Sequence, residues 1–216
     1  EIPMKIIVFG ATGDVGSRVV TEAVTRGHDV TAVVRNKAGL AKLPETVKGL
    51  IASVSDPSAV AKAMAGHDLA ISSLRTPSGH EGDVVALTRS ILKGASIADV
   101  RVIIVGGAAR LRLPNGSPHT VLSDPDFLPE SIVPTARASL AQAELCISTV
   151  DADWTYASPS ALLRPGVRRG KFRIGADTLL IDANGNSEIS MEDFAVALVD
   201  EAQSAQFIRT SFTVGY

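Results

Sequence analysis

The sequence predicts an α/β domain: a doubly wound, mostly parallel sheet with helices on both faces and a small C-terminal extension made of a hairpin and an edge strand. Three observations predict it. Short β-branched runs alternate with helical patterns from Lys5 as far as Thr149. The first apolar run, Ile6-Ile7-Val8-Phe9, leads directly into glycines at 10, 13 and 16 with a helical pattern behind them. Val102-Ile103-Ile104-Val105 is continuously apolar, as strands of parallel sheets covered on both faces are.

The chain's size and charge bound the rest. At 216 residues it suits one domain, taken as residues 4–216, with no internal repeat and no linker. Charged residues make up 20% and the net charge is −2, so no strong field draws the chain to nucleic acid or to an anionic membrane. A small-molecule partner is expected, with the protein a monomer or a homodimer. The one cysteine, Cys146, excludes an internal disulfide; it sits in a helical pattern with no nearby histidine and reads as a buried thiol. No long apolar span precedes the first strand, and a cytoplasmic location is expected.

Each element has its own signal. After the glycine turn, Val15, Val19, Val20, Ala23 and Val24 share a helical face that Gly27 ends. Asp29–Val34 reads as the second strand and Gly49–Val54 as the third. Asp56-Pro57 is a good helix start, with Val60, Ala63 and Met64 on the apolar face and Gly66 closing it. Asp68–Leu74 is the fourth strand, Val84 to Ala95 a long helix, Val102–Val105 the fifth strand and Ala136–Thr149 another helix. Trp154–Ser160 reads as the sixth strand. Lys171–Ile174 and Thr178–Ile181 read as a hairpin outside the main sheet, Ser190 as the cap of a helix, and Thr210–Val214 as an edge strand.

The glycine turn carries the clearest chemistry. A strand feeding a helix through such a turn leaves backbone N–H groups at the positive end of the helix dipole, where a pyrophosphate fits. Gly10 permits the turn, Gly13 lets the backbone approach phosphate, and Gly16 lets the helix pack closely, so a nicotinamide dinucleotide on a Rossmann domain is expected. Thr12, Asp14 and Val15 belong to the same turn. At the end of the second strand, which faces the adenosine ribose, stand Arg35, Asn36 and Lys37 in place of an acid. A guanidinium there grips a 2′-phosphate, so NADP(H) is expected over NAD(H), unless Arg35 is an ordinary surface cation. Ser53 and Val54 end the third strand, Ser72, Ser73 and Leu74 the fourth, and Gly106 and Gly107 follow the fifth, at the carboxyl edge where an open parallel sheet is expected to place its cofactor crevice.

Gly-Ala-Thr-Gly at the first turn, Val-Gly-Gly-Ala after the fifth strand, Leu-Ser-Asp-Pro-Asp-Phe at 122–127 and Ile-Ser-Met-Glu-Asp-Phe-Ala at 189–195 resemble atypical short-chain dehydrogenase/reductases of the NADH-flavin reductase-like, NAD(P)H-binding (NmrA-like) kind. Biliverdin-IXβ/flavin reductase is more distantly similar. The resemblance implies hydride transfer to a flavin, quinone-like or other conjugated acceptor, with flavin as substrate rather than bound cofactor. It also implies that Ser53 and Val54 stand at the adenine, where similar sequences carry Gly-Asp, that Ser72–Leu74, Gly106 and Gly107 flank the ribose and nicotinamide, and that the loop holding Pro159 and Ser160 closes over the nicotinamide. Typical members use a serine after the fifth strand and Tyr-x-x-x-Lys in the next helix. Neither Gly106–Arg110 nor the Ala136–Thr149 helix supplies them. Catalysis mainly by positioning is therefore expected, because a conjugated acceptor delocalises the incoming charge and can take its proton from water.

No proton donor can be named from sequence; His119 and Ser160 are the candidates, in segments 111–134 and 160–190 that read as substrate-side loops. The segment Arg75–Asp83 is short of pattern and can serve as a lid or a plain connection. Trp154, Tyr156 and Phe172 are the aromatic side chains available for stacking or for the core. Asp182–Asn186 has only a superficial likeness to a calcium loop, since Ser187 stands where glycine is needed, and no metal is expected. Two alternatives stay open: a non-catalytic NAD(P)H-binding redox sensor, and a biosynthetic ketone reductase or isomerase with a polar donor beside the nicotinamide.

Overall fold

In the computed structural model, which describes residues 2–216, the first five strands are β1 (Lys5–Phe9), β2 (Asp29–Val34), β3 (Lys48–Ile51), β4 (Leu69–Ser72) and β5 (Arg101–Val105). They are followed by β6 (Trp154–Ser158), β7 (Leu162–Arg164), β8 (Arg173–Gly175), β9 (Glu188–Ser190) and β10 (Thr210–Gly215). The helices are α1 (Asp14–Thr25), α2 (Lys37–Leu40), α3 (Pro57–Met64), α4 (Asp83–Ala98), α5 (Val133–Ser148) and α6 (Met191–Ser204). A 3₁₀ turn, Glu130–Ile132, leads into α5.

Eight strands form the main sheet in the order β3-β2-β1-β4-β5-β6-β10-β8, and β7 and β9 pair separately. Every pairing in the main sheet is parallel except β10 with β8. The strand order reverses between β1 and β4, the place where an open parallel sheet of this kind leaves a crevice at its carboxyl edge.

The alternation within β1 shows why the sheet is sandwiched. Ile6 and Val8 point to the face covered by α1 and α6, among Val19, Ala23, Phe194 and Leu198. Ile7 and Phe9 point to the other face, among Val60, Met64, Ile91 and Tyr156 of α3, α4 and β6. Ile6, Ile7, Val8 and Phe9 are all fully buried, which requires apolar residues at consecutive positions.

Local signals set the helix ends. Asp56 accepts a hydrogen bond from Ser58 N–H at 2.9 Å ahead of Pro57, and Ser190 Oγ accepts from Asp193 N–H at 3.0 Å at the start of α6. Gly27 and Gly66 follow α1 and α3 at positive φ, 82° and 79°.

The C-terminal region departs from expectation. Lys171–Ile181 is not a separate hairpin. Arg173–Gly175 joins the main sheet antiparallel to β10, whereas Leu179 N–H donates to Arg112 O at 2.9 Å and Leu179 is buried with Leu111 and Val121. The backbone of 177–179 therefore finds its partners in the 111–121 segment instead of its own neighbour. The Thr210–Gly215 strand is not the edge either; Phe212 and Val214 are fully buried between β6 and the covering β8. The third strand is shorter than expected, because residues from Ala52 onward turn away to cap α3. Among the described residues, no helix is long and apolar enough to cross a membrane.

Candidate functional site

A cleft of about 480 Å³ opens at the carboxyl edge of the sheet. Its lining comes from Val15 in the first turn of α1, the loop after β4 and the start of α4, the loop after β5, the 121–132 segment, the first three turns of α5, the segment after β6 and the start of α6.

The three glycines of the first turn have different reasons to be glycine. Gly10 has φ 72°, and a Cβ there would lie 2.2 Å from Ser73 O, so it allows both the turn and the close approach of the chain after β4. A Cβ on Gly16 would lie 2.0 Å from Gly10 O, so it seats α1 against the turn. Gly13 has an ordinary φ of −78°, and a Cβ there meets nothing nearer than Gly10 O at 3.4 Å. The fold itself does not demand glycine at 13, and the position stands open to approach from outside. Gly13 is also the N-cap of α1, and no side-chain hydrogen bond caps it, so the N–H groups of the first turn are left for a ligand. Thr12 and Asp14 are exposed beside it, and Val15 lines the cleft.

On one flank, Arg35 is exposed directly after β2, and Asn36 caps α2 by accepting from Gly39 N–H at 3.0 Å. Ser53 is exposed with its Oγ 2.9 Å from Ser55 Oγ, and Val54 packs half-buried against the core. Ser73 and Leu74 line the cleft, whereas Ser72 is buried in β4 behind them. Arg75 follows on the lip and pairs with Asp14 at 3.0 Å.

At the centre, Gly106 and Gly107 leave β5 over the hydroxyl of Tyr156. A Cβ on Gly106 would fall 2.0 Å from the Tyr156 ring. Gly107 N–H donates to the Tyr156 hydroxyl at 3.1 Å, and that hydroxyl donates to Ser139 O at 2.9 Å. Burial pushes the phenol well above its usual range, so it stays protonated and holds two walls of the cleft together. Tyr156 and Trp154 are therefore core residues and not stacking platforms, and Phe172 packs against the α1 and α6 side. Among the described residues, no aromatic side chain lines the cleft.

Opposite, Pro159 and Ser160 line the cleft, with Ser160 Oγ donating to Val214 O at 2.7 Å. His119 is not at the site. Leu113 N–H donates to His119 O at 2.9 Å, which folds the loop back, exposes His119 beside Ser123 and turns Val121 inward instead.

Helix α5, expected from the sequence over Ala136–Thr149, also lines the site, a contribution its sequence was not expected to make. Thr135, Ser139 and Gln142 line the cleft at helical spacing, joined by Leu128 and Ile132 before the helix and by Leu163 and Met191 across from it. The spacing of those three polar residues on one helical face was the available signal. Among the described residues, no group of three or more His, Cys, Asp or Glu side chains converges to hold a metal ion.

Residues 10–205 match the sequence model of the NAD(P)H-binding family. Three solved structures are similar over nearly their whole length. A Burkholderia pseudomallei protein provisionally named as exported is 39% identical, with a TM-score of 0.88 over 99% of this chain and 100% of that one. A provisionally named epimerase from Bacteroides thetaiotaomicron is 34% identical, with a TM-score of 0.89 over 100% of this chain and 98% of that one. A provisionally named NADH-flavin reductase from Streptococcus pneumoniae is 25% identical, with a TM-score of 0.89 over 98% of this chain and 99% of that one.

Proposed function

The chain belongs to the NAD(P)H-binding family, and on that premise we propose that it is an NAD(P)H-dependent oxidoreductase that passes hydride to a flavin, quinone-like or other conjugated acceptor. One observation carries the reading: the uncapped start of α1, with a glycine at 13 that the fold does not require, borders through Val15 the cleft that Gly106 and Gly107 line.

In this reading the first-turn N–H groups of α1 and the backbone at Gly10, Thr12, Gly13 and Gly16 hold the pyrophosphate. Arg35 pairs with the 2′-phosphate and makes NADP(H) the preferred cofactor. Ser53 and Val54 flank the adenine. Gly106 and Gly107 leave room for the nicotinamide end, with Pro159 and Ser160 opposite. A reduced nicotinamide bound there supplies the hydride. The Tyr156 bond to Gly107 and Ser139 sets the separation between the β5 loop and α5, and the apolar residues around them exclude water. The Ser160 hydrogen is already engaged with Val214 O, so the proton for the acceptor comes from water at the cleft mouth. A cytoplasmic location suits a consumer of reduced nicotinamide, although the Burkholderia relative bears the name exported.

The test follows absorbance of NADPH and NADH with flavin, quinone and simple ketone acceptors, for the wild type and Arg35→Ala. Turnover confined to conjugated acceptors, with a larger affinity loss for NADPH than for NADH in the variant, supports the reading. Tight NADPH binding without turnover of any acceptor sinks it in favour of a redox sensor, and equal losses for both cofactors remove Arg35 from the 2′-phosphate.

A further inference from the structure

Arg110 follows the Gly106-Gly107-Ala108-Ala109 run that lines the cleft, and its side chain is enclosed, only 13% exposed. Backbone bonds on both sides hold this stretch in place. Leu111 N–H donates to Ala108 O at 3.0 Å, Leu122 N–H to Ala109 O at 3.1 Å, and Arg112 N–H to Asp177 O at 2.8 Å. The guanidinium carbon stands 6.0 Å from the centre of the Tyr156 ring, and a Cβ on Gly106 would lie 2.0 Å from the same ring. Arg110 and the cleft floor at Gly106 thus share one buried aromatic ring.

This cation is poorly neutralised. Nη2 donates to Ala176 O at 3.4 Å, Nη1 reaches Asp177 Oδ1 only at 4.0 Å, and Nε is buried with no hydrogen-bond partner among the described residues. Asp177 is itself half-exposed and is shared with Arg112 at 3.8 Å, so water and a second cation weaken its hold. Arg101, just as enclosed, ends instead on the buried carboxylate of Glu201. A guanidinium does not give up its proton, so Arg110 keeps its full charge. Two other charged side chains line the cleft, Arg75 and Glu81. Arg75 is exposed and paired with Asp14, and Glu81 follows the exposed Pro77–His80 stretch at the entry to α4, accepting from Gly79 N–H at 2.9 Å. Water screens both, whereas enclosure leaves the field of Arg110 largely intact.

We infer that Arg110 makes the nicotinamide end of the cleft select the reduced cofactor over the oxidised one. This rests on the reading above, which places the nicotinamide beside Gly106 and Gly107. The reduced ring is neutral and the oxidised ring carries a positive charge, while the rest of the two molecules is the same. An enclosed cation beside the cleft floor therefore repels only the oxidised form. At an effective dielectric of about 20–40, two unit charges on the order of 10 Å apart change each other's binding about five- to fifteenfold. The site thereby loads NADPH from a mixed pool and lets NADP⁺ go once hydride has left. Holding the reduced form more tightly also makes the bound cofactor a slightly weaker donor, which a readily reduced conjugated acceptor tolerates.

The test measures Kd for NADPH, NADP⁺ and adenosine 2′,5′-bisphosphate, which lacks the nicotinamide end, by fluorescence titration and displacement on the full chain. Wild type should bind NADPH at least about fivefold more tightly than NADP⁺. Arg110→Gln should bring that ratio close to one, chiefly by tightening NADP⁺, whereas Arg110→Lys keeps the charge and should retain most of it. The bisphosphate should bind all three proteins alike. Asp177→Asn removes the partial counter-charge at a half-exposed position, where folding is not at stake, and should widen the ratio about twofold. A wild-type ratio near one, or a ratio that Arg110→Gln and Asp177→Asn both leave unchanged, overturns the inference while leaving the reductase reading intact. An equal loss for all three ligands in Arg110→Gln overturns it too, since that is the signature of a residue that only fixes the loop. Failure of wild type to bind either NADPH or NADP⁺ overturns the cofactor placement and the reductase reading with it.

Discussion

Arg75 Nη1 lies 3.0 Å from Asp14 Oδ2, a salt bridge that links the loop after β4 to the first residue of α1 across the mouth of the glycine turn. Asp14 suits the helix dipole there, yet its charge opposes a phosphate approaching the same N–H groups. Arg75 cancels that charge and adds a cation to the lip. Both side chains are more than half exposed, so the pair contributes little to stability. Arg75→Ala should therefore leave the melting temperature unchanged while raising the Kd for NADPH about three- to tenfold. Adding Asp14→Asn to that variant should recover most of the loss. Titration of the four members of the cycle by nicotinamide fluorescence checks it, and additive losses would show that the two residues act separately.

The glycines of the first turn make opposite predictions. Gly16→Ala forces a Cβ to 2.0 Å from Gly10 O, backbone that cannot swing aside, and should cost more than about 3 kcal/mol in denaturant unfolding. Gly13→Ser meets no such obstacle and supplies the cap that α1 lacks. Its stability should stay within about 1 kcal/mol of wild type or rise, while its hydroxyl occupies the N–H groups proposed for phosphate and NADPH binding falls at least about tenfold. A Gly13→Ser protein with wild-type NADPH affinity would remove the pyrophosphate from this turn.

These contrasts also show how far the chain could be read in advance. β1 was legible because sheet burial on both faces demands apolar residues at 6, 7, 8 and 9 in succession, and α3 because Asp56 and Pro57 announce its start. β7, β8 and β9 have three residues each, too few to show a period, and their pairing is decided by distant partners such as Thr213 and Val214. The α5 side of the cleft was hidden for a related reason. Thr135 and Ser139 look like surface residues of a weakly amphipathic helix until the fold brings α5 against the β5 loop. His119 stood out by residue type, but a local backbone bond to Leu113 turns it to solvent.

Cys146 gives the chain an alkaline sensitivity whose sign follows from its burial. The thiol is fully enclosed in α5, and desolvation pushes it up to about 12 from a usual value near 9. The unfolded chain therefore loses this proton before the folded one does, so stability is fully present below pH 9 and falls as pH rises toward 12. Tyr156, raised by burial from 10, acts in the same sense over the range above its usual value. Denaturant midpoints for wild type and Cys146→Ala at a series of pH values check this: the variant starts lower because of the cavity but declines less steeply between pH 9 and 11. The folded thiol should also resist a disulfide reagent at neutral pH, and rapid labelling of native protein would contradict the enclosure.

Tyr156→Phe isolates the contribution of one hydroxyl to the geometry of the cleft. The ring that excludes any side chain at Gly106 remains, but Gly107 N–H loses its partner and Ser139 C=O, still engaged within α5, loses its second one. One half-buried N–H left unpaired should cost about 1–3 kcal/mol of stability, with partial relief from water entering at the cleft. The functional effect separates positioning from acid catalysis. A proton-donating tyrosine would, when removed, abolish turnover and erase a limb of the pH profile. A positioning tyrosine loosens the β5 loop against α5, so kcat should fall about three- to thirtyfold with the pH profile unchanged in shape and the Kd for NADPH nearly constant, since the site proposed for the pyrophosphate lies at the α1 turn. Raised pressure on the same wall gives a check from the opposite side: Gly106→Ala pushes on the intact ring and should lower kcat in wild-type background more than in Tyr156→Leu, where the smaller side chain makes room for the added methyl group. If Gly106→Ala costs the same in both backgrounds, the ring does not set the width of the cleft.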